Sequence, residues 1–309
     1  MSGESAFIEA LRALATDPAA RALADDAAVL DSGGRSLVLT HDMLVEGVHF
    51  LPGDPPEDVA WKLLAVNLSD LAAKGARPLG VLMGYSLRGD AEWDRRFVGG
   101  LGRALAAFGT ALLGGDTVAA PVRALGLTAI GEALGPVPSR AGAKRGDYLW
   151  VSGTIGDAGA GLRVLKGEIE GSPALVDRYR TPRPRLEAGQ RLAPLVSAMM
   201  DVSDGLLIDA SRMAHASGVG VSIELAQVPL SGAYLQALGE ARVEAACAGD
   251  DYELLFAAPP ERAAEILALS DALGLPFTRI GAFEEGAGLV LTERGVPVPL
   301  PDRLGWEHG

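Results

Sequence analysis

Aspartates gather at a few places in this sequence, and most of them stand beside glycine or another small residue. They are Asp25, Asp26, Asp42, Asp70, Asp116, Asp201, Asp204, Asp250 and Asp251. A single Asp of this kind often caps a helix or closes a turn. The group as a whole favours a shared acidic cleft, because small neighbours let a metal ion or a phosphate approach the backbone closely. Carboxylate oxygens suit hard cations such as Mg²⁺, which takes a few carboxylates together with water and substrate phosphates.

Phosphoryl transfer is the chemistry that such a cleft would serve. This reaction needs alignment and charge neutralisation rather than covalent help from the protein, and Mg²⁺ held by aspartates supplies both. The chain contains no G-x-x-x-x-G-K-[ST] motif and no H-R-D or D-F-G signature, which argues against a P-loop enzyme and a protein kinase. The loop GGDT, at 114–117, either offers backbone N–H groups to a phosphate or forms a tight strand-to-helix turn. No nucleophile is evident, since Cys247 lies in a run of small apolar residues that is typical of a core.

Two other side chains draw attention as contacts for an organic substrate. His49 follows the predicted acidic strand and is either a ligand contact or a half-buried residue packed beside Phe50. Trp306, close to the C-terminus, is either a core residue or a stacking surface for a flat ring, and a cationic ring would gain most. His41, next to Asp42, is predicted to be an outward-facing strand residue rather than a metal ligand.

One strand and the helix after it must position the first of these groups. An apolar run over 36–42 predicts a strand that ends at Asp42, and apolar positions at helical spacing predict a helix over 57–75. Asn67 and Asp70 lie three residues apart on that helix, away from its apolar stripe. A carboxylate at the end of a strand and an Asn/Asp pair on the next helix are therefore expected to converge on one point.

Elsewhere the pattern alternates between strands and helices in both halves of the chain, which predicts α/β or α+β layers. The other predicted strands are 79–87, 111–113, 122–133, 148–151, 198–201, 219–225, 254–257, 277–283 and 288–298, and the other helices are 4–15, 93–108, 157–167, 185–197, 206–217 and 261–273. A Pro-rich stretch at 136–138, followed by a basic stretch, predicts the boundary between a domain over 1–137 and a domain over 138–309. The similar tetrapeptides NLSD at 67–70 and DVSD at 201–204 suggest related halves, although four residues do not establish a repeat.

The composition describes an ordinary globular protein and excludes several classes. The chain has 309 residues, of which 49% are apolar and 22% are charged. Such a length is more than one core usually accommodates, and such a composition is typical of globular domains. The net charge of −13 and the lack of a Lys/Arg cluster argue against a nucleic-acid-binding surface, and they mean that polyphosphate binding would need metal ions. A single cysteine excludes an internal disulfide framework and a Cys-rich zinc site.

The sequence also predicts the compartment. The N-terminus has no signal-peptide pattern, and no apolar run is long enough to span a membrane as a helix. No membrane span and a cytoplasmic location are therefore expected.

Seven segments, taken in order, resemble the thiamine-monophosphate kinases, a family of the aminoimidazole ribonucleotide synthetase superfamily. They are DDAAVL, THDMLVEGVHF, NLSDLAAKGARP, GGDT, SRAGAKRGD, DVSDGL and GDDYELLF. The resemblance extends over about residues 7–306, and the motifs are specific as a set although none is specific alone. It implies ATP-dependent phosphorylation of thiamine monophosphate to thiamine diphosphate, by direct in-line transfer that several Mg²⁺ ions assist.

The resemblance also implies a fold and a set of partners. The fold would be α/β with α+β layers, in two domains like those of aminoimidazole ribonucleotide synthetase. The N-terminal domain, 1–137, would bind ATP and metal and form a homodimer through its sheet, and the C-terminal domain, 138–309, would cover the nucleotide and the substrate. The expected partners are ATP, thiamine monophosphate and a second copy of the chain, with no nucleic acid and no membrane.

Each candidate site residue receives a role from the same resemblance. The implied metal ligands are Asp26, Thr40, Asp42, Asp70, Asp116, Asp201 and Asp204. The implied ATP contacts are Gly115, Asp116, Arg140 and Ser203. The implied thiamine-phosphate contacts are His49, Asp250 and Trp306. Arg140 suits phosphate because a guanidinium can donate two parallel hydrogen bonds, and no catalytic acid or base is implied because the acceptor is already a phosphate.

Two positions depart from the family pattern, and alternatives to the thiamine enzyme stay open. His41 stands where the family usually has Thr or Ser, and Asp250 stands where Glu is usual, so its reach is one methylene shorter. Aminoimidazole ribonucleotide synthetase is the strongest rival, although the segments THDMLVEGVHF and GDDYELLF favour the thiamine enzyme. The selenophosphate-forming and hydrogenase-maturation branches rely on cysteines that this chain does not have at those places. A non-catalytic nucleotide or metal sensor, built on the same acidic loops, is the rival from another functional class.

Overall fold

The computed structural model describes residues 3–12, 14–133 and 135–307, and its two β-sheets divide the chain into an N-terminal and a C-terminal half. The N-terminal strands are β1 (Ala28–Asp31), β2 (Ser36–Val45), β3 (Arg77–Leu87), β4 (Leu112–Ala119) and β5 (Ala124–Ala133). The helices of this half are α1 (Gly3–Arg12), α2 (Pro56–Ala73) and α3 (Ala91–Phe108). The five strands form one sheet in the order β1-β2-β5-β3-β4, in which β3 and β4 are parallel and the other neighbours antiparallel.

The C-terminal half is built on a seven-stranded sheet with the order β12-β11-β8-β10-β6-β9-β7. Its strands are β6 (Tyr148–Ser152), β7 (Ala198–Asp201), β8 (Gly220–Glu224), β9 (Leu254–Ala258), β10 (Phe277–Glu284), β11 (Gly288–Glu293) and β12 (Val296–Val298). Its helices are α4 (Asp157–Leu165), α5 (Pro173–Arg180), α6 (Leu186–Leu192), α7 (Leu206–Ser217), α8 (Gly232–Leu238), α9 (Arg242–Cys247) and α10 (Ala263–Leu273). Helices and strands occur together in both halves, and the predicted fold class of α/β with α+β layers is confirmed.

Several predicted segments differ from the structure. The strand predicted over 36–42 continues to Val45, so Asp42 lies inside β2 rather than at its end. The GGDT segment is neither a loop nor a strand-to-helix turn, because parallel pairing with β3 continues through it and makes it part of β4. The predicted strand over 288–298 is a hairpin of β11 and β12, and its turn uses left-handed backbone at Arg294 and Gly295. The predicted helix over 185–197 ends at Leu192. Helices α5, α8 and α9 were not predicted, since elements this short carry too little periodicity to be recognised.

Helix α2 lies between the two halves and is buried along most of its length. One side packs on β2, β5 and α3, and the other side contacts α5, α6 and β7 of the C-terminal half. The sequence predicts a polar face around Asn67 that is separate from the apolar stripe. Asn67 is nevertheless fully buried, because its face of α2 lies against β2, where its amide oxygen accepts from the Asp42 backbone and its amide nitrogen donates to the Leu63 carbonyl.

The halves approach each other closely enough to share a core. One hydrophobic cluster includes Ala72 and Ala73 of α2 together with residues of the C-terminal sheet such as Phe256. Gly189 of α6 permits this approach, since a Cβ there would lie 1.9 Å from the carbonyl oxygen of Ala72. Among the described residues, no helix combines the length and the apolar character needed to cross a membrane.

Candidate active site

A cavity of about 530 Å³ opens between the two halves, and most of the predicted site residues line it. These residues are Asp26, Asp42, His49, Asp70, Arg140, Asp201, Ser203, Asp204, Asp250 and Trp306. Thr40, which is buried, joins the set through a hydrogen bond from its hydroxyl to Asp70. Residues that lie far apart in the sequence therefore meet in one place.

Strand β2 and helix α2 bring the first carboxylates together. The Thr40 hydroxyl donates to the Asp70 carboxylate and lies 3.3 Å from the backbone carbonyl oxygen of Asp26. In α2, the side-chain oxygen of Asn67 accepts a hydrogen bond of 2.9 Å from the backbone N–H of Asp42. Strand β2 and the following helix are thus fixed relative to each other, and the convergence of Asp42 with Asn67 and Asp70 that the sequence predicts is observed.

The C-terminal half contributes Asp201, the last residue of β7, which is buried at the cavity wall. Its carboxylate accepts a hydrogen bond from the hydroxyl of Ser69, one residue before Asp70 on α2. Burial, with the negative charge of Asp26 as a further cause, raises the pKa of Asp201 to about 8. A neutral hydroxyl is the partner here, so the negative charge of Asp201 is not compensated by its hydrogen bond.

Two further aspartates, Asp42 and Asp70, also have raised pKa values. Burial, followed by the charges of Asp26 and Asp204, raises the pKa of Asp42 to about 6. Burial, followed by the charges of Asp42 and Asp201, raises the pKa of Asp70 well above its ordinary value. The Lys and Arg ion pairs of the described chain do not include Asp42, Asp70 or Asp201. We call these three residues the unpaired aspartates.

Asp25 and Asp26 differ from the unpaired aspartates because cationic side chains of the protein form ion pairs with them. Lys74, fully buried, places its Nζ 2.6 Å from Asp25 and 2.7 Å from Asp26, and Arg140 also pairs with Asp26. Burial opposes the charged form, but Lys74 and Arg140 hold the pKa of Asp26 below its ordinary range. Within the described residues the buried Arg140 Nε has no hydrogen-bond partner, so this guanidinium retains a donor for a ligand oxygen.

The donor set fits Mg²⁺ in one particular way. In the described part of the chain, no group of three or more His, Cys, Asp or Glu side chains is arranged to hold a metal ion. Mg²⁺ does not need such a cage, since it is usually bound by one or two carboxylates together with water and substrate phosphates. The unpaired aspartates are hard oxygen donors with uncompensated charge at the cavity wall, which is the property that a bound cation would require.

The three predicted substrate contacts line the same cavity from three separate segments. His49, half-buried, accepts a hydrogen bond of 3.1 Å at Nδ1 from the backbone N–H of Val45. Asp250 has a backbone φ of 70°. This conformation is uncommon for a residue other than glycine. Trp306 is 54% exposed and its backbone N–H donates to the carbonyl of Asp204, so it is a surface at the cavity rather than a core residue.

Comparison with known proteins agrees with this arrangement. Two family models match the chain: the N-terminal domain of AIR synthase related proteins over residues 24–133, and the C-terminal domain of the same proteins over residues 144–293. The thiamine-monophosphate kinase of Caulobacter vibrioides is 42% identical over 306 residues, which are 95% of this chain and 86% of the relative. The chain belongs to the thiamine-monophosphate kinase family.

Solved structures of the family show the same fold at full length. A structure of AaThiL complexed with AMPPCP and TMP has a TM-score of 0.87 and 33% identity, and the match covers 99% of this chain and 97% of that one. The crystal structure of thiamine-monophosphate kinase from Stenotrophomonas maltophilia K279a has a TM-score of 0.80 and 38% identity, with 94% and 95% covered. The family assignment favours the thiamine enzymes over the other branches that the sequence leaves open.

Two residues of this family member that the motifs did not single out shape the site. Lys62 of α2 is buried, and its Nζ donates to the Asp250 carboxylate at 2.9 Å and to the His49 carbonyl at 3.0 Å. Its position among apolar residues of a predicted helix was the available signal, since a buried ammonium requires partners. The second is Asp209, in the first turn of α7.

Asp209 organises the loop that carries Ser203 and Asp204. One of its carboxylate oxygens accepts hydrogen bonds of 3.1, 3.1 and 3.2 Å from the successive backbone N–H groups of residues 203–205. Arg212 pairs with both Asp204 and Asp209. An acidic side chain in the first helical turn is the sequence signal that pointed to this role, because it can accept from free backbone N–H groups.

Apart from Thr40, which contacts Asp70 from behind, the predicted site residues that do not line the cavity are Gly115 and Asp116. Both lie on β4, whose residues are all exposed, at the opposite side of the sheet from β1 and β2. His41 is exposed on β2 and its Nδ1 lies 2.9 Å from the Thr128 hydroxyl, in agreement with its prediction as an outward-facing residue. Cys247 is half-buried, packs against the core and also reaches the cavity wall.

Proposed function

We propose that this chain transfers the γ-phosphoryl group of ATP to the phosphate of thiamine monophosphate, with thiamine diphosphate and ADP as products. Relatives named thiamine-monophosphate kinase match this chain over 86% and 91% of their own length. The neighbour with the same fold binds an ATP analogue and TMP together. The reaction requires ATP, so the proposed activity belongs in the cytoplasm.

One observation of this chain carries the proposal most directly. Aspartates from both halves line a single cavity, which also contains the residues expected to bind the thiamine phosphate. The cavity is therefore suited to hold two phosphate-bearing molecules between two sets of polar groups. A transfer between phosphates requires such alignment and charge neutralisation more than it requires a protein nucleophile.

We propose that the unpaired aspartates, with Asp26, Asp204 and Thr40, hold several Mg²⁺ ions when nucleotide is bound. The ions would neutralise charge on the phosphoryl oxygens during transfer. Asp42 and Asp70 are fixed toward each other by Thr40 and Asn67, so the chain positions these ligands in advance. Mg²⁺ would also lower the cost of keeping buried carboxylates ionised.

The remaining contacts are assigned to the two substrates. Arg140 lines the cavity and would bind a phosphate of ATP through its guanidinium, and Ser203, in the loop that Asp209 fixes, lines the same cavity. His49, Asp250 and Trp306 would bind thiamine monophosphate. The acceptor phosphate is already an anion, so no side chain is assigned as a general base.

The homodimer predicted from the resemblance is also a proposal. Strand β4 is an edge of the N-terminal sheet, and it exposes the large apolar side chains of Leu112, Leu113 and Val118. An exposed apolar edge strand of this length is a surface that proteins usually cover. A second copy that covers β4 would place Gly115 and Asp116 at the interface between copies.

The test measures ADP release from ATP and Mg²⁺ by the purified chain, with and without thiamine monophosphate, and identifies the thiamine product. We expect ADP release that depends on thiamine monophosphate and matches the thiamine diphosphate formed. ATP binding without turnover would identify a sensor instead. Turnover only with the substrate of aminoimidazole ribonucleotide synthetase would identify the enzymatic rival.

A further inference from the structure

Lys62 occupies an unusual place for a lysine, since its side chain is 2% exposed and lies on the helix that separates the two halves. Its Nζ makes three contacts, with the Asp250 carboxylate at 2.9 Å, the His49 carbonyl oxygen at 3.0 Å, and the Tyr179 ring, whose centroid is 3.9 Å away. Burial of an ammonium is tolerated only with partners of this kind. Lys62 itself does not line the cavity, so it acts on a ligand only through its neighbours.

The conformation of Asp250 depends on contacts of this type. Asp250 and Tyr252 both have positive φ, at 70° and 51°. Such conformations persist only where the surroundings hold them. The backbone N–H groups of these two residues donate to Ser203 and Val202 at 2.7 and 2.8 Å. The carboxylate of Asp250 accepts from the Tyr252 hydroxyl at 3.1 Å and from Lys62.

The same ammonium also fixes the segment that carries His49. The His49 carbonyl accepts from Lys62 and lies 3.4 Å from the Tyr179 hydroxyl. His49 and Asp250 belong to different halves of the chain and both line the cavity. Lys62 is thus a single charged group that holds two expected substrate contacts, one from each half, in one arrangement.

We propose that Lys62 is a positioning residue that sets the affinity for thiamine monophosphate, through the contacts of its Nζ with Asp250 and with the His49 carbonyl. The inference rests on the proposed function. Lys62 also neutralises Asp250, whose side chain is 30% exposed, so the substrate meets a neutral ion pair of fixed direction rather than a mobile carboxylate. ATP binding is expected to change little, because Asp26 and Arg140 belong to other segments and Ser203 is joined to Asp250 through a backbone hydrogen bond that substitution of the Lys62 side chain leaves in place.

The experiment is a double-mutant cycle on the full chain with Lys62→Met, Asp250→Asn and the double variant. The steady-state KM values for thiamine monophosphate and for ATP are measured for each, with Lys166→Met as the control at an exposed lysine. Lys62→Met should raise the KM for thiamine monophosphate roughly tenfold to a hundredfold and leave the KM for ATP within about twofold. The KM of the double variant for thiamine monophosphate should not exceed the higher KM of the two single variants, because the two residues act as one pair.

Several outcomes decide between the alternatives. Equal increases in both KM values, or effects of Lys62→Met and Asp250→Asn that multiply in the double variant, would overturn the inference and assign Lys62 to packing alone. If Lys62→Met does not fold, the comparison of Asp250→Asn with the double variant decides, since removal of both charges leaves no buried ion without a partner. In this comparison only the contact with the His49 carbonyl is lost, so the inference predicts a KM for thiamine monophosphate in the double variant that is less than about tenfold above that of Asp250→Asn. A rise of tenfold or more would mean that Lys62 acts independently of Asp250 and would refute the inference. A wild-type chain without thiamine-dependent turnover would refute the proposed function itself, which is a separate result.

Discussion

The unpaired aspartates at the cavity and the buried Glu253 of the C-terminal half differ in how the chain compensates their negative charge. Two of the unpaired aspartates, Asp70 and Asp201, accept hydrogen bonds from the neutral hydroxyls of Thr40 and Ser69. Glu253, which is fully buried, is instead bound by the guanidinium groups of Arg178 and Arg185 and by the Ser152 hydroxyl.

This difference indicates that the charge of Glu253 stabilises the fold, whereas the charges of the unpaired aspartates are available to a ligand. Compensation of Glu253 within the chain makes that residue part of the structure, because loss of either partner leaves a buried ion. The unpaired aspartates have no such compensation, and their raised pKa values record a cost to the folded state. A cost of this kind is expected at a site whose counterions arrive with the substrate.

The largest effect is expected for Asp70→Asn, which removes one unpaired aspartate and keeps its size. Turnover should fall roughly 100- to 1000-fold, because a charge that the transferred phosphate requires is lost. The free energy of unfolding of the metal-free protein should not fall, since burial and the charges of Asp42 and Asp201 disfavour the ionised Asp70. The measurements are kcat and urea unfolding, with the exposed Asp271→Asn as control. Normal kcat would remove Asp70 from the site.

The same chemical change at Glu253 should have the opposite consequence. Glu253→Gln is expected to lower the free energy of unfolding by about 3 kcal/mol, because Arg178 and Arg185 lose their shared anion. Glu265→Gln is the matched control, since its pair with Arg262 is exposed and such pairs contribute no more than about 1 kcal/mol. Urea unfolding measures both, and similar values for the two variants would contradict the contrast drawn above.

The pH dependence of stability should reveal the carboxylates with raised pKa values, which are the unpaired aspartates together with Asp209 and Asp251. Their pKa values are raised in the folded state, so the stability they contribute is present below their ordinary pKa and is lost as pH rises toward about 6 for Asp42 and about 8 for Asp201. The free energy of unfolding of metal-free protein should therefore fall between pH 5 and pH 8.5, by on the order of 5 kcal/mol for Asp42 and Asp201 together. The contribution of Asp26 to stability has the opposite pH dependence. Its pKa is lowered in the folded state, so this contribution is present above the ordinary pKa of Asp and is lost only as the pH falls into the acid range.

Chemical denaturation at a series of pH values, in the presence of a chelator, measures this slope. Asp201→Asn should flatten it in the upper part of the range, since Asp201 has the higher pKa of the two. Addition of Mg²⁺ with a non-hydrolysable ATP analogue should flatten it further, because ligands that bind only the folded state restore the stability. A stability that rises with pH across this range would be incompatible with three unpaired aspartates.

The first part of the site could be predicted from the sequence because it is local. Asp42 lies on β2 and Asp70 lies on α2, the next element along the chain, so consecutive elements bring them together regardless of the rest of the fold. Asp201 and Asp250 could be placed beside them only by resemblance, since their position depends on how the halves pack. Spacing in the sequence carries no information about that contact.

The parts that sequence reasoning missed have physical causes as well. Lys62 and Asn67 are polar residues on a helix that is buried along most of its length, whereas helical periodicity predicts a solvated polar face. GGDT has the composition of a turn, but pairing with β3 makes it a strand. In both cases tertiary contacts determine the outcome, and local propensity indicates the wrong environment.

Trp306 differs from both kinds of carboxylate, because it would contribute to substrate binding through an uncharged aromatic face. The residue is 54% exposed at the cavity. A flat cationic ring can therefore stack on the indole, and the binding free energy gained should be close to that of an exposed cation–π contact. Trp306→Ala should raise the KM for thiamine monophosphate only about two- to fivefold, with the KM for ATP unchanged. Trp306→Phe is the control, since it keeps an aromatic face and should recover most of the loss. Equal changes in the two KM values would instead mean that the ring only packs against the Asp204 loop, which its backbone N–H already contacts.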